Sequence, residues 1–497
     1  MSARPNILFL MTDQQRLDTL GCYRNEVVRT SNIDRLAAEG ARFEHFYTPT
    51  AICTPARASL LTGVHPFRHQ LLANYEWNSG SREELPDGLP ILSRELLDGG
   101  YQVGHVGKWH VGRHRGPDWY GHDAEHIPGA LNNTSHPSYL AWLTEHGFPQ
   151  PKVHDAIRRT LPDGSPGHLI AGRLDQPVEA TFEQFITDRA VHKLRNYTAD
   201  ASAGNPFYLA VHYFGPHLPY LLPDKYYDMY DPADVVLPES MSETFAGKPP
   251  VQQRYSEYWS ADAFDADTWR KLIATYWGYV TMIDEQIGRL LAVLDETGQY
   301  DRTATMFIAD HGEFTGAHRL NDKGPAMYDD IYRIPGVIRA PGREHMVVSE
   351  FASLLDLVPT IRDLAELPAI SPCDGRSLLP LLDGAAPADW RENIVAEFHG
   401  HHFPYPQRMI RTKTHKLVIN PESVNELYDL DTDPHELRNV YESPAHRGVR
   451  RELSETLYQE LRDRGDAFYK WMRFMADLDR NDQKQSSTGI PGWMELM

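Results

Sequence analysis

The chain has 497 residues and a formal net charge of −20, from 49 Lys and Arg against 69 Asp and Glu. Its 41% hydrophobic and 11% aromatic content is ample for a large core and excludes wholesale disorder. The negative charge argues against a nucleic-acid partner, because neutralising phosphates requires a basic surface.

At roughly 100–200 residues per domain, the length fits several domains or one large α/β domain with an appendix. The first apolar run, residues 6–11, is too short for a signal-peptide core, and nothing approaches the roughly 18 apolar residues of a membrane helix. The three cysteines, Cys22, Cys53 and Cys373, are too few for a disulfide framework. These features lead to the expectation of a cytoplasmic protein with no membrane partner.

In chain order, several short apolar runs end abruptly in chemically capable residues. Residues 7–11 run into Asp13-Gln14, and 32–40 read as a short helix ending at Gly40. Cys53 then opens a helix with Pro55 in its first turn and Gly63 at its end. Residues 101–106 run into Gly107-Lys108-Trp109-His110. The stretch 113–176, rich in His, Gly, Pro and Asp, has weak periodicity and reads as a long insertion, either a pocket wall or plain surface. Residues 207–214 run into Gly215-Pro216-His217, 272–298 form a long amphipathic helix, and 303–309 run into Asp310-His311-Gly312-Glu313. Lys323 follows in a loop. Residues 351–367 read as helical.

The pattern changes after Gly384. Residues 393–398, 408–411, 415–419 and 426–430 are short strands, and 450–475 form an amphipathic helix before a polar tail. The expected architecture is a large, mostly parallel, mixed sheet flanked by helices, with a smaller C-terminal antiparallel sheet plus helix. Residues 1–384 are the expected catalytic domain and 385–497 a C-terminal subdomain whose tail leaves a homo-oligomer contact open. His399-Gly400-His401-His402 ends a strand of that subdomain. Such a tract can hold a metal, although a pocket rim or plain surface is the simpler reading.

In a parallel sheet, ligands bind beyond the carboxyl ends of the strands. Four of these runs deliver metal- or anion-capable side chains at that end, which argues for one composite site. Asp13, Gln14, Asp310 and His311 together make a mixed hard donor set for a divalent cation. Lys108, His110, His217 and Lys323 supply cations and proton carriers of the kind an anionic ester requires. A residue at the position of Cys53 faces the positive end of a helix dipole, which suits a thiolate or an anion. Asn74, Tyr75 and Trp77 are further candidates for the pocket lining.

Cys53-Thr54-Pro55-Ala56-Arg57, followed by Ala58-Ser59-Leu60-Leu61-Thr62-Gly63, resembles the signature of the formylglycine-dependent sulfatases of the alkaline phosphatase superfamily. Residues 5–13, Gly107-Lys-Trp-His110, Asp310-His-Gly312, 374–380 and 426–434 resemble further landmarks of that family. The resemblance implies that Cys53 is oxidised by a formylglycine-generating enzyme, and that the hydrate of the product is the nucleophile. It implies that Asp13, Gln14, Asp310 and His311 hold one divalent cation beside residue 53, preferably Ca²⁺, with Mn²⁺ as the alternative. It further implies that Arg57 orients the hydrate, Lys108 and Lys323 hold sulfuryl oxygens, His217 protonates the leaving alcohol, and His110 deprotonates the second hydroxyl to expel sulfate. The implied substrate is a small or saccharide sulfate ester. The main alternative is a phosphonate monoester or phosphodiester hydrolase, which often shares Gln at the second ligand position but tends to lack Gly-Lys-Trp-His. A binding protein derived from a dead sulfatase is disfavoured, because every expected catalytic position is filled.

Overall fold

A computed structural model describes residues 4–74, 77–125, 135–202 and 204–475. Its strands are β1 (Asn6–Asp13), β2 (Ala41–Tyr47), β3 (Gln102–Gly107), β4 (Val153–Thr160), β5 (Pro166–Leu174), β6 (Phe207–Pro216) and β7 (Tyr220–Leu222). They continue as β8 (Thr303–Ala309), β9 (Gly336–Arg339), β10 (Met346–Ser353), β11 (Asn393–His401), β12 (Phe403–Thr412), β13 (His415–Ile419) and β14 (Glu426–Asp429). The large sheet has seven strands in the order β10-β2-β9-β8-β1-β6-β3. Only β9 runs antiparallel to its neighbours. The expected mostly parallel architecture is therefore present.

β1 explains why a parallel sheet reads as unbroken hydrophobicity. Leu8 and Leu10 belong to the core on one face, while Ile7, Phe9 and Met11 belong to the core on the other. The helices Phe182–Ser202 and Ala266–Glu296 cover the first face. Leu357–Leu364 and Leu60 of the Cys53–Thr62 helix pack on the second.

β8, β1, β6 and β3 are adjacent and parallel. Their carboxyl ends therefore lie side by side, with Asp310, Asp13, His217 and Lys108 at or just beyond them. Gly107 has a φ of 99°, and a Cβ there would collide with the His212 carbonyl oxygen. Glycine is thus required where the chain leaves β3 toward Lys108.

One segment gains detail and two local readings need correction. Residues 113–176, where the sequence shows only weak periodicity, contain the helix Pro137–Glu145 and the antiparallel pair β4–β5, which joins β7 in a small third sheet. β4 is mostly exposed, so its polar residues show no apolar alternation. The helix expected over 351–367 begins later, because β10 runs through Ser353 alongside β2. Ser353 and Asp356 then form a capping box that starts the next turn. The helix expected over 450–475 is two, Arg447–Arg464 and Phe468–Met475, separated at Gly465 with φ 81°.

The C-terminal sheet, β11-β12-β13-β14, is antiparallel and packs Ile410, Leu417 and Leu427 on Leu453, Leu457 and Leu461. The tail beyond 475, where an oligomer contact was left open, lies outside the described residues. No helix among the described residues is long and apolar enough to cross a membrane.

A buried acid lies behind β6. Glu183 is 2% exposed and accepts a hydrogen bond from Tyr279 Oη at 2.6 Å. Burial outweighs that bond and pushes its carboxyl up to about 7. Below about pH 4.5 the group is protonated whether folded or unfolded, and its contribution is intact. As the pH rises toward 7, only the unfolded chain ionises, and stability falls by about 3 kcal/mol. Glu183→Gln is expected to flatten that part of the profile, as read from urea midpoints between pH 5 and 8.

Candidate active site

The Cys53–Thr62 helix is buried along its whole length. Ile52 enters it in extended conformation, and Gly63, with φ 74°, ends it through a bond from its N–H to the Ser59 carbonyl at 2.8 Å. Cys53 is its first residue, fully buried and without a disulfide. Its Sγ lies 3.0 Å from His311 Nε2 and 3.7 Å from Asp13 Oδ1. Burial alone would raise the thiol, but the Lys323 and Lys108 ammonium groups and His311 outweigh it and hold it well below its ordinary value. Asn74, one of the pocket candidates, accepts from the Thr54 N–H at 3.0 Å and lies 4.0 Å from Sγ. Tyr75 and the side chain of Trp77 lie outside the described residues.

One turn along, Arg57 joins the two carboxylates. It donates Nη2–H to Asp13 Oδ2 at 2.8 Å, Nε–H to Asp310 Oδ2 at 2.9 Å and Nη1–H to the Lys108 carbonyl at 3.0 Å. Both carboxylates thereby give their Oδ2 atoms to Arg57. Asp310 Oδ1 accepts from the backbone N–H groups of Gln14 and His311 at 3.0 and 2.9 Å. Lys108 Nζ lies 2.6 Å from Asp13 Oδ2. The positive charges of Lys108 and Arg57 hold the Asp13 carboxyl below its ordinary range against the effect of burial. Asp310 is raised, by burial and by the charge of Asp13.

His311 donates Nδ1–H to the Gly312 carbonyl at 2.9 Å, because a carbonyl can only accept. With Nδ1 held by that carbonyl, Nε2 is the nitrogen directed at Sγ, and it is the one that could ligate a metal after giving up its proton. Burial pulls this imidazole down, but Asp310 and Cys53 outweigh it and lift it to about 9. Asp13, Cys53, Asp310 and His311 each offer one buried ligand atom, all within 4.8 Å of one another. Two carboxylates, an imidazole and a sulfur fit a divalent cation, whose binding would displace the proton from His311 Nε2.

Gln14 follows β1 with φ 63°, a left-handed turn. Its side-chain oxygen accepts from Lys323 Nζ at 2.7 Å, and its amide nitrogen donates to Asp322 Oδ1 at 3.0 Å and to Glu313. An amide oxygen has two lone pairs, so the bond to Lys323 leaves one for a cation. Lys323 Nζ also lies 3.0 Å from His217 Nε2, which stands 3.9 Å from Asp13 Oδ1. His110, with φ 57°, reaches Cys53 through its side chain, and burial pushes it down to about 4. The structure thus brings Asp13, Gln14, Arg57, Lys108, His110, His217, Asp310, His311 and Lys323 together around Cys53. Sequence reasoning missed Glu313 and Asp322, the carboxylates that hold Gln14 and Lys323. Their only signal was adjacency to Asp310-His311-Gly312 and to Lys323.

The family model described as Sulfatase matches residues 5–367. The chain belongs to the sulfatase family. A second model, described as N-sulphoglucosamine sulphohydrolase, C-terminal, matches residues 316–463. Among the sulfatase relatives, an uncharacterized sulfatase, YidJ, of Escherichia coli is 31% identical, covering 94% of this chain and 90% of that protein. An arylsulfatase of Clostridium perfringens is 29% identical over 94% of this chain and 96% of its own length. The crystal structure of a phosphonate monoester hydrolase of Agrobacterium radiobacter superposes with a TM-score of 0.79 at 26% identity, covering 93% of this chain and 96% of that one. The chain is therefore a sulfatase-family enzyme with an alkaline phosphatase-like fold.

Proposed function

We propose that this enzyme hydrolyses a sulfate monoester to an alcohol and inorganic sulfate, with residue 53 as nucleophile after oxidation of Cys53 to formylglycine. The observation that carries this reading is the meeting of Lys108, His110 and Lys323 around Cys53 and Asp13: Lys108 Nζ stands 2.6 Å from Asp13 Oδ2. Asp13, Asp310 and His311, with the Gln14 oxygen and residue 53, would hold one divalent cation, Ca²⁺ or Mn²⁺. That cation, when bound, supplies Lewis-acid activation of the nucleophile and charge neutralisation at the sulfuryl group.

The chain's own residues do the remainder. Arg57 fixes both carboxylates and so fixes the position of residue 53. Lys108 and Lys323 present ammonium groups to the sulfuryl oxygens. His217, against Lys323, is the acid that protonates the departing alkoxide. His110, held near 4 by burial, is neutral at pH 7 and can accept a proton from residue 53. Maturation requires a formylglycine-generating enzyme. In this reading residues 1–384 form the catalytic domain, with 113–176 as a pocket wall, and 385–497 a subdomain.

The second reading, a phosphonate monoester hydrolase, is favoured by the superposition with that enzyme. Steady-state kinetics on paired aryl sulfate and aryl phosphonate monoesters test the choice. A higher kcat/KM for the sulfate is expected, and a reversed preference overturns the sulfate reading. His217→Ala is expected to cost on the order of 10²–10⁴-fold on alkyl sulfates, but much less on p-nitrophenyl sulfate, whose leaving group needs no proton. His110→Ala is expected to release one equivalent of alcohol and then stall. Rapid-quench assays on both variants check the assignment, and the opposite pattern exchanges the two histidines.

A further inference from the structure

The His399-Gly400-His401-His402 tract has no part in the chemistry above. It forms the tip of the β11–β12 hairpin, where His401 pairs with Phe403 and His402, with φ 66°, makes the turn. His399 is directed elsewhere: its Nε2 lies 2.6 Å from Glu397 Oε2. The other two histidines meet Asp322. One ligand atom from each of Asp322, His401 and His402 lies within 4.8 Å of the others. His401 Nε2 is 3.4 Å from Asp322 Oδ2, and the two imidazole centroids are 3.9 Å apart.

Asp322 divides its oxygens between two tasks. Oδ1 accepts from Gln14 Nε2 at 3.0 Å and from Lys323 Nζ at 3.1 Å, which ties it to the catalytic cations. Oδ2 is the atom on the hairpin side. Two ligands of one tetrahedral ion, each about 2.0–2.1 Å from it, stand roughly 3.3 Å apart. The 3.4 Å between His401 Nε2 and Asp322 Oδ2 matches that spacing.

We propose that Asp322, His401 and His402 form a second metal site, for a zinc-class divalent ion. Two imidazoles and one carboxylate suit Zn²⁺, Co²⁺ or Ni²⁺, whereas Ca²⁺ and Mg²⁺ favour oxygen ligands alone. Asp322 and His401 are buried and His402 is exposed, so an ion enters from solvent and keeps water in its open positions. Such an ion ties the tip of the C-terminal sheet to the loop that carries Lys323. The proposal does not depend on which ester the enzyme cleaves.

The test uses the full chain, stripped with a chelator and then saturated with Ca²⁺ to fill the cluster around Asp310. Co²⁺ is titrated in while visible d–d absorption is followed. One equivalent of Co²⁺ with d–d bands is expected in the wild type. Asp310→Asn should keep the bands, His402→Ala should weaken binding at least tenfold, and the double variant His401→Ala/His402→Ala should lose it. His402 is an exposed turn residue, and an unchanged metal-free thermal midpoint checks that its variant is folded. Absence of bands in the wild type, or bands that follow Asp310→Asn and ignore His402→Ala, overturns the proposal.

Discussion

Cys53→Ala is expected to lower kcat/KM by on the order of 10⁵-fold, as removal of an enzymatic nucleophile does. The substitution removes only a sulfur from a fully buried helix position, so it should leave circular dichroism unchanged. A structural cysteine behaves differently: its truncation costs packing energy and leaves the rate per folded molecule intact. Active wild-type protein should also show, at the peptide containing residue 53, a mass about 18 Da below that of cysteine, as conversion of a thiol to an aldehyde requires. Full activity from protein carrying only the thiol contradicts the proposed chemistry.

Metal removal is expected to have the second-largest effect. Chelation should reduce turnover by at least about 10³-fold, and Ca²⁺ or Mn²⁺ should restore it. Asp310→Asn should be equally inactive but beyond rescue by added metal. It halves the pair of carboxylates that Arg57 joins, and side-chain exposures there are 1% for Arg57 and 0% for Asp310. Removing one partner of so buried a charge network costs about 3–5 kcal/mol, so this variant should also unfold earlier. Metal at about 100 times its Kd should stabilise the wild type by about 2.7 kcal/mol and leave Asp310→Asn unmoved. Thermal midpoints with and without metal distinguish the outcomes, and rescue of Asp310→Asn contradicts the ligand assignment.

The ends of β1, β3, β6 and β8 were legible in the sequence for one physical reason. Each strand is buried on both faces, so its apolar run stops where the chain reaches the site and changes character within a residue or two. Asp13, Lys108, His217 and Asp310 stood out against that background. Asp322 and Glu313 did not, because their task is to hold Gln14 across 308 and 299 residues of chain, and spacing carries no record of such a contact. The β4–β5 pair was hidden because a strand exposed on both sides need not alternate. The start of the helix at Leu357 was misplaced because apolar residues fill both β10 and that helix, and the decisive sign was the Ser353–Asp356 cap.

The burial of the Cys53–Thr62 helix also sets a timetable. Every residue from Cys53 through Thr62 is buried in the finished fold, and His311, the partner nearest the thiol, arrives 258 residues later in the chain. An enzyme that must grip this segment to alter its thiol can do so only while the chain is still being made or is held open. If Cys53 is oxidised as proposed, conversion and folding are therefore in a race. Conditions that delay closure of the large sheet would then favour the converted form, and protein that closes first would keep its cysteine until it unfolds.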